Sequence, residues 1–495
     1  MNHRPTEEQE RIFLFTKKRP ENLLIKARAG TGKTWTAIEC AKLLPQNKSI
    51  MFLAFNKHIQ EELKTKLPEH IRCYTTYGLG NAAIKRKYGD KIVFDEFKAD
   101  KIIQKKAKSW ELEEEFQSEE EISVYLNSIK KLCNLCRLTL TTKPDYIPYI
   151  ADRYDVNLKK PNDIKRVLKV LDEMSIDRKT YDYTDMIYLP AIDNGIWFFP
   201  QDYVLADECQ DFNRCQIKII EKVLKKDKLS KKITGRLFAF GDEFQGIYGF
   251  NGCDDKSYEW FGKFPNTKTL PLTISFRCSQ NVIREAQKIV PDIKALPDAP
   301  EGIVRDGSVI AEAQSGDFIL CRTTMPLVKL FFEFLTQKKK AIIKGSDIGL
   351  HLIELIGKID SLEKLVKFWE AELASFKRDL KADGILNPYE HSGYSALEDK
   401  VRTLLFLAQL AVNITDLKAS IKSIFTDEIQ GIVLSTVHKI KGLEANRVFI
   451  IRPDLLPMKN VKGWQFIQEK NLHYVAITRS RLELIYDRTW TDEEA

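Results

Sequence analysis

The sequence predicts an α/β fold in two units, with helical segments inserted into the alternation. Three observations predict it. Residues 22–44 read as strand, small-residue loop and helix; short apolar runs that end in polar or acidic residues recur after it; and the same alternation returns from Asp317 onward. With 495 residues the chain has the length for two or more domains, each with its own core.

The first unit is organised around NLLIKARAGTGKT, residues 22–34. Leu23-Leu24-Ile25 is the apolar run of a buried parallel strand, and the loop after it opens directly into a periodic helix, Trp35 to Leu44. A phosphate cradle requires this order. Gly30 and Gly32 let the backbone approach a triphosphate with its N–H groups turned inward, Ala29 and Thr31 complete the loop, and the helix N-terminus adds partial positive charge. Lys33 is placed to reach the β- and γ-phosphates, and Thr34 to give its hydroxyl to Mg²⁺. The first glycine of the G-x-x-x-x-G-K-[ST] pattern is Ala27 here, which the loop tolerates as long as position 27 does not need positive φ.

A hydrophobic share of 43% and a charged share of 30% describe a globular chain. No run approaches the ~18 apolar residues of a membrane helix. The opening MNHRPTEEQERIF lacks the basic, apolar and small-residue order of a signal peptide, so an intracellular, cytoplasmic protein is expected. The net charge of +8 permits a basic track for nucleic acid without requiring one. Nine cysteines, an odd number, fit a reduced compartment rather than a disulfide framework. Cys133 and Cys136 form a lone C-x-x-C in a helical stretch, and with no second pair a closed metal site is not expected there.

In chain order, Gln9 comes first, in a polar opening segment; its amide can read an adenine edge, although a lone glutamine is usually surface. Strands Ser49–Phe55 and Ile71–Thr75 run into Asn56-Lys57 and Thr76-Tyr77-Gly78, loops that a parallel sheet puts on its binding edge. Residues 82–185 break the alternation as a charged, mostly helical insertion, with the acidic run Glu111–Glu121 read as a solvated face. Asp202–Glu208, DYVLADE, is an apolar strand ending in paired acids: Asp207 suits Mg²⁺, and Glu208 suits the orientation or deprotonation of an attacking water. Arg236–Asp242 is a further strand that delivers Gln245, able to sense a γ-phosphate, then Tyr248, Gly249 and Phe250. Those aromatics stack on bases, at ~1–3 kcal/mol each, or belong to the core; their spacing leaves both open.

In the second half Asp317–Arg322, Lys340–Lys344, Gly431–Val437 and Asn446–Ile451 read as strands. Asp347–Ile356 reads as a helix with Asp347 as its cap, 361–424 as lysine-rich helix and Gln468–Arg481 as helix. Lys364, Lys367, Lys377 and Lys381 are read as a solvated face ahead of a contact with duplex phosphates.

Taken together, these blocks resemble the superfamily 1 helicases of the UvrD/Rep type. ARAGTGKT, AFNKHIQEEL, YTTYG, LADECQD and FGDEFQGIYGFNG look like motif I, motif Ia, the DNA-contact motif after it, motif II and motif III. ISFRCSQNVI, LSTVHKIKGLE and NLHYVAITRSR look like motifs IV, V and VI, in the family's order. The resemblance implies two RecA-like P-loop motor domains with helical insertions, ATP and Mg²⁺ in the cleft between them, and single-stranded DNA across the top. It also implies roles. Gln9 matches the adenine reader, Lys33 and Thr34 the phosphate and Mg²⁺ ligands, Asp207 the Mg²⁺ carboxylate, Glu208 the catalytic acid and Gln245 the γ-phosphate sensor. Phe276 takes the place of an aromatic that stacks on adenine, Glu444 matches the ribose contact, and Arg277 and Arg479 match two arginine fingers. Phe55, Asn56, Thr76, Tyr77, Tyr248 and Phe250 fall on positions that touch phosphates or stack bases, and Thr436 and His438, with Lys441 and Gly442, complete motif V on the DNA side.

Three departures stand out. Asn251 replaces the usual arginine and Phe250 a common tryptophan, Tyr77 replaces a frequent histidine, and the interval Arg277–Thr436 is shorter than in full-length bacterial helicases, leaving room for a compact insertion only. The expected domains are 1–81 with 186–268 for the first motor, 82–185 for its helical insertion, 269–345 with 429–495 for the second motor, and 346–428 for a small helical insertion. The expected function is an ATP-dependent DNA helicase that translocates on single-stranded DNA, with 3′ to 5′ polarity implied by the KGLE form of motif V. Expected partners are single-stranded DNA, single–double-strand junctions and replication or repair proteins, on a monomeric chain without a membrane. A translocase that displaces proteins with little unwinding is the alternative within that class. A nuclease-bearing subunit is not expected, since the sequence ends shortly after motif VI, and a non-enzymatic nucleotide-dependent DNA-binding module is expected to have lost Lys33, Glu208 or the fingers, all of which are present.

Overall fold

The computed structural model describes residues 4–490 apart from 142, 157, 159, 250, 251, 254, 255, 459, 460 and 462, and the chain forms two compact units, Met1–Thr273 and Ile274–Ala495. In the first, helix and strand alternate from α1 (Glu7–Lys18) through β1 (Asn22–Ala27), α2 (Lys33–Lys42), β2 (Ile50–Ala54), α3 (Lys57–Lys66) and β3 (Ile71–Thr75) to α4 (Thr76–Tyr88). The inserted segment follows: β4 (Val93–Phe94), α5 (Lys98–Ala107), α6 (Leu112–Glu115), α7 (Glu119–Leu138), α8 (Ile147–Arg153), α9 (Asp163–Ile176) and β5 (Thr180–Tyr181), with β4 and β5 paired. Then α10 (Asp185–Ile192), β6 (Tyr203–Ala206), α11 (Arg214–Val223), β7 (Arg236–Gly241), α12 (Ser257–Lys263) and β8 (Thr267–Leu272) complete the unit.

The main sheet is parallel throughout, in the order β3-β2-β6-β7-β1-β8. Its strands are near-continuous apolar runs because helices cover both faces; β2 is buried at every position. Leu23, Ile25, Phe52, Phe238 and Phe240 face one way onto Ala37 and Ala41 of α2. Leu24, Leu53, Val204 and Ala239 face the other way onto α4, α10 and α11. The expected boundary at 81/82 therefore falls inside α4, whose Leu79, Ala83 and Ile84 share that core. The expected break after 268 likewise falls inside β8, which pairs with β1 from Thr267 to Leu272. In both places the burial that fixes the element runs past the point where composition changes.

A buried charge cluster ties the insertion back to the sheet layers. Arg137, at the end of α7, donates Nη1 to Asp182 Oδ1 at 3.1 Å and Asp185 Oδ1 at 3.0 Å, and Nη2 to Asp182 Oδ2 at 2.8 Å. Lys98 Nζ donates to Asp185 Oδ2 at 2.7 Å and to the carbonyls of Met174 and Thr180. The segment Tyr181–Ile187 closes the insertion through these acids. Cys133 and Cys136 lie buried on the same helix; burial raises both thiols, that of Cys136 to about 12. Among the described residues no group of three or more His, Cys, Asp or Glu is placed to hold a metal.

The second unit opens with β9 (Ile274–Ser275), α13 (Gln280–Gln287) and β10 (Lys294–Ala295), where β9 and β10 pair. After β11 (Ile303–Asp306), α14 (Val309–Glu312), β12 (Phe318–Cys321), α15 (Met325–Thr336) and β13 (Ala341–Lys344) come four helices: α16 (Ser346–Ile356), α17 (Leu362–Ala382), α18 (Ser392–Leu410) and α19 (Ile414–Ile424). The unit ends with β14 (Phe425–Thr426), β15 (Ile432–Thr436), β16 (Ala445–Ile451), α20 (Trp464–Ile477) and β17 (Ser480–Asp487). The sheet is again parallel, in the order β11-β17-β16-β12-β15-β13-β14.

Two expectations are corrected here. The helix expected to reach Arg481 stops at Ile477, and Ser480–Asp487 is a strand between β11 and β16; its buried Leu484-Ile485-Tyr486 run has no period that separates helix from strand. Asp347 is not the cap of α16. Gly345 precedes that helix without a side-chain cap, and Asp347 pairs instead with Lys439. Lys364 and Lys367 pair with Asp360 and Glu363 one turn earlier, as a solvated face does. Among the described residues no single helix is long and apolar enough to cross a membrane.

Two stability predictions follow from this packing. Arg137→Met leaves buried carboxylates facing one cation and should cost about 3–5 kcal/mol, read as a lowered urea midpoint. Asp202 accepts from the Ser49 amide at 3.1 Å, the Ser49 hydroxyl at 2.9 Å and Lys225 at 2.8 Å, joining β2 to β6. Burial alone would raise its carboxyl, but Lys225 and Ser49 outweigh burial and hold it at about 2. A depressed folded-state pKa stabilises above the unfolded value and is lost as pH falls through the folded one. Asp202→Asn should therefore cost about 1 kcal/mol at neutral pH after solvent screening, and in pH-dependent denaturation the difference from wild type should vanish towards pH 2.

Candidate functional site

The parallel sheet of the first unit sends its strand ends to one edge, where a doubly wound sheet binds ligands. Because β7 lies between β1 and β6, the loop after β1 and the acids after β6 flank the end of β7. In the loop, Gly30 and Gly32 both take positive φ, at 72° and 71°. Ala27 does not: it is the last residue of β1, paired with Leu272, so its methyl is accommodated. Ala29 and Thr31 are buried, and Thr31 Oγ1 donates to the Arg28 carbonyl at 2.9 Å.

Lys33 opens α2, and its Nζ lies 2.6 Å from Glu208 Oε2. Burial opposes that charge, but Glu208, Asp207 and Asp242 outweigh it and keep the ammonium protonated. Thr34 Oγ1 donates to Asp207 Oδ2 at 2.9 Å. Asp207 is buried, and desolvation, partly offset by Lys33, pushes its carboxyl up to about 6. Glu208 sits at φ 52°, a left-handed conformation that costs a side chain of order 1–3 kcal/mol. Its carboxylate accepts Gln210 Nε2 at 2.6 Å, and Gln210 Oε1 accepts the Asp242 N–H at 3.0 Å. Asp242 accepts Gln245 Nε2 at 2.7 Å and lies 3.4 Å from Arg28 Nη1.

Lys33, Thr34, Asp207, Glu208 and Gln245, all expected from the sequence, thus belong to one connected network. Arg28, Gln210 and Asp242 are its members that the sequence reading missed; their signal was position, at strand ends inside the motif blocks. The Thr34 hydroxyl and Asp207 carboxylate are hard oxygen donors of the kind Mg²⁺ takes beside water and phosphate, and a cation would relieve the buried charge on Asp207, so these residues fit Mg²⁺.

Gln9 is buried rather than at the surface. It is the third residue of α1, in a capping box with Thr6: the Thr6 N–H donates to Gln9 Oε1 at 3.0 Å, and the Gln9 N–H donates to Thr6 Oγ1 at 3.3 Å. Gln9 Nε2 donates to Thr36 Oγ1 at 3.1 Å, fastening α1 to α2. One amide hydrogen and one lone pair remain for a base edge. Trp35, the residue after Thr34, is 39% exposed, with Phe13 edge-on at 5.9 Å.

The residues expected to meet DNA divide. Phe55 and Tyr248 stack on each other at 5.6 Å and 17°, both half-buried, so they form one aromatic platform. Asn56 is exposed and caps α3, accepting the Ile59 N–H at 2.8 Å. Thr76 is a correction: it is buried, and its hydroxyl accepts Gln216 Nε2 of α11 at 2.7 Å. Thr75, which caps α4 by accepting the Gly78 N–H at 3.0 Å, is the half-buried residue there. Tyr77 packs half-buried against the sheet core, which raises its hydroxyl. Phe250 and Asn251 lie outside the described residues.

The second unit gathers a second cluster. Arg277 pairs with Glu444 and donates Nη1 to the Thr478 carbonyl at 3.2 Å, and Arg481 Nε donates to Glu444 at 3.1 Å. Burial favours the neutral form of Glu444, but Arg277, Arg481 and Arg479 hold it below the usual carboxylate range. Arg479 is buried and donates to neutral oxygens: Val475 O at 2.9 Å, Leu443 O at 3.3 Å and Thr478 Oγ1 at 3.3 Å. Desolvation, reinforced by Arg277, pulls its guanidinium down to about 9. A buried cation with no carboxylate within 4.0 Å among the described residues suits an incoming anion. Phe276 is half-buried beside Arg277. Thr436 is buried at the end of β15, and His438, in the turn after it, is held well below its ordinary range, by burial first and then by Arg322, Lys439 and Lys441.

Two family models match the chain. The UvrD/REP helicase N-terminal domain covers residues 6–265, and the UvrD-like helicase C-terminal domain covers residues 354–489. F-box DNA helicase protein 1 of Schizosaccharomyces pombe is 26% identical over 539 aligned residues, 98% of this chain and 58% of that protein. F-box DNA helicase 1 of Gallus gallus is 25% identical over 540, 98% of this chain and 49% of that protein. ATP-dependent DNA helicase Rep of Buchnera aphidicola is 29% identical over 117, 22% of this chain and 16% of that protein. The chain thus spans about half the length of the first two relatives.

Because Gln9 holds α1 to α2, Gln9→Ala should lower stability by about 1–2 kcal/mol without any nucleotide. Urea denaturation of the nucleotide-free chain checks this, and an unchanged midpoint would assign Gln9 to ligand contact alone.

Proposed function

This chain belongs to the UvrD/REP helicase family, and on that premise we propose that it is an ATP-dependent DNA helicase that moves 3′ to 5′ along single-stranded DNA. The observation that carries the proposal is the joined pair of contacts at the phosphate loop, Lys33 with Glu208 and Thr34 with Asp207. Residue types and order are those of a nucleoside-triphosphate hydrolase, and they lie at the ligand-binding edge of a parallel sheet.

In this reading the phosphates displace Glu208 from Lys33. The freed carboxylate, still held by Gln210, orients and deprotonates the attacking water. Thr34 and Asp207 would hold Mg²⁺, which when bound would supply charge neutralisation. Gln245, tied to Asp242, senses the γ-phosphate from the end of β7. Arg479 and Arg277 supply the positive charge that the transferring phosphoryl group requires, the first already without a carboxylate and the second by leaving Glu444. Gln9 and Phe276 take the base and Glu444 the ribose. The Phe55–Tyr248 platform takes a DNA base on its edge, with the exposed Asn56 next to Phe55.

Steady-state hydrolysis with and without single-stranded DNA tests the proposal. Lys33→Ala should remove the DNA-stimulated rate; Glu208→Gln should lower it by about 10²–10⁴ while ATP still binds; Arg479→Ala should lower it by about 10³ or more. DNA-independent, Lys33-independent hydrolysis would overturn it. Polarity is read on tailed duplexes, where unwinding from 3′ tails is expected and unwinding from 5′ tails alone would reverse the assignment.

A further inference from the structure

The site leaves one surface of the first unit without a role. In the segment that leads into β6, side chains alternate: Ile196 and Phe198 are 1% and 6% exposed, while Trp197 and Phe199 are 50% and 49% exposed. The inward pair joins the core under the sheet, so the outward pair is held in place. Trp197 and Phe199 meet edge to face at 4.9 Å and 78°. Arg86, near the end of α4, lies over both rings, 4.9 Å from the Trp197 centroid and 4.6 Å from that of Phe199, and donates Nη1 to the Trp197 carbonyl at 3.1 Å. Arg72, in β3, lies 5.9 Å from the Phe199 centroid.

Neither guanidinium has a carboxylate partner among the described residues, and the acid of this segment, Asp193, is already paired with Lys87 at 2.6 Å. Two fixed, half-exposed aromatics beside two arginines without acids have the composition of a binding hot spot, and the fold gains nothing from leaving them in water. The patch lies where β3 and β6 begin; Lys33, Asp207 and Glu208 lie where strands end. A strand's length of roughly 15 Å separates the two edges, so one can be occupied without touching the other.

We propose that this patch docks an acidic, extended segment of a partner protein, which sets an apolar side chain against Trp197 and Phe199 while its carboxylates engage Arg72 and Arg86. The guanidinium of Arg86 covers a face of each ring. That removes the flat surface on which a base would stack and presents forks that match carboxylates.

A randomised short-peptide library displayed on phage, selected on the full chain and counter-selected on Trp197→Ser and Arg86→Glu variants, tests this. Sequences with Asp or Glu flanking Phe, Leu or Trp should be enriched. A fluorescein-labelled peptide of that kind should lose affinity by about tenfold or more in each variant, and should bind more weakly as salt rises. DNA-stimulated ATP hydrolysis should stay at wild-type values in both variants. Arg86→Glu also gives up its bond to the Trp197 carbonyl, so an Arg72→Glu variant, whose guanidinium has no bond to that segment, should lose peptide affinity at a wild-type thermal midpoint, which separates docking from folding and from the motor. No enriched sequence that depends on both residues would overturn the proposal. So would Arg86-dependent binding of a labelled single-stranded oligonucleotide in place of the peptides.

Discussion

Lys33 and Thr34 meet Glu208 and Asp207 only because β1 and β6 run parallel, one strand apart, with Ala206 level with Leu24 across Ala239. Parallel strands need crossover helices, and those helices cover both faces of the sheet, so the strands can be apolar on both sides. The pairing of one lysine with one glutamate therefore rests on the register of the whole sheet, from Ile50 against Tyr203 to Leu23 against Phe238. It also sets the local charge. Burial raises the Asp207 carboxyl, Lys33 offsets part of that rise and the neighbouring Glu208 adds to it.

The arginines of the second unit are prepared differently from each other. Arg277 is neutralised by Glu444, whereas Arg479 is buried among carbonyls and a hydroxyl with its guanidinium weakened. The first is held by a carboxylate; the second is held by neutral oxygens alone, and its desolvation was imposed when the unit folded. A buried unpaired charge is a poor way to stabilise a fold and an economical way to keep a group ready.

The phosphate loop and the acids after β6 were legible in the sequence because the chemistry of phosphate permits few residue types at few spacings, whereas Arg277 and Arg479 were named only through the resemblance to a family. Inside and outside were harder to read. Thr75 and Thr76 are neighbours where a strand passes into a helix, and the change of period decides which one turns inward; the adjacent threonines carry no mark of it. Gln9 was visible as a polar side chain, but its structural duty lay in the T-x-x-Q spacing, which reads equally as surface. The last helix was carried to Arg481, past its end at Ile477, because nothing in Thr478–Arg481 marks the passage from helix to strand. Trp197 and Phe199 were invisible as surface because aromatic residues in an apolar run are usually core.

All nine cysteines are free and buried in the folded chain. Thiol reagents act on accessible thiolates, and burial here removes access and raises the thiols whose shift is resolved, such as Cys40 and Cys136, to about 12. One cysteine introduced at an exposed position would then react alone, without removal of the native ones. The chain is in effect already prepared for a site-specific dye at any exposed position of either unit.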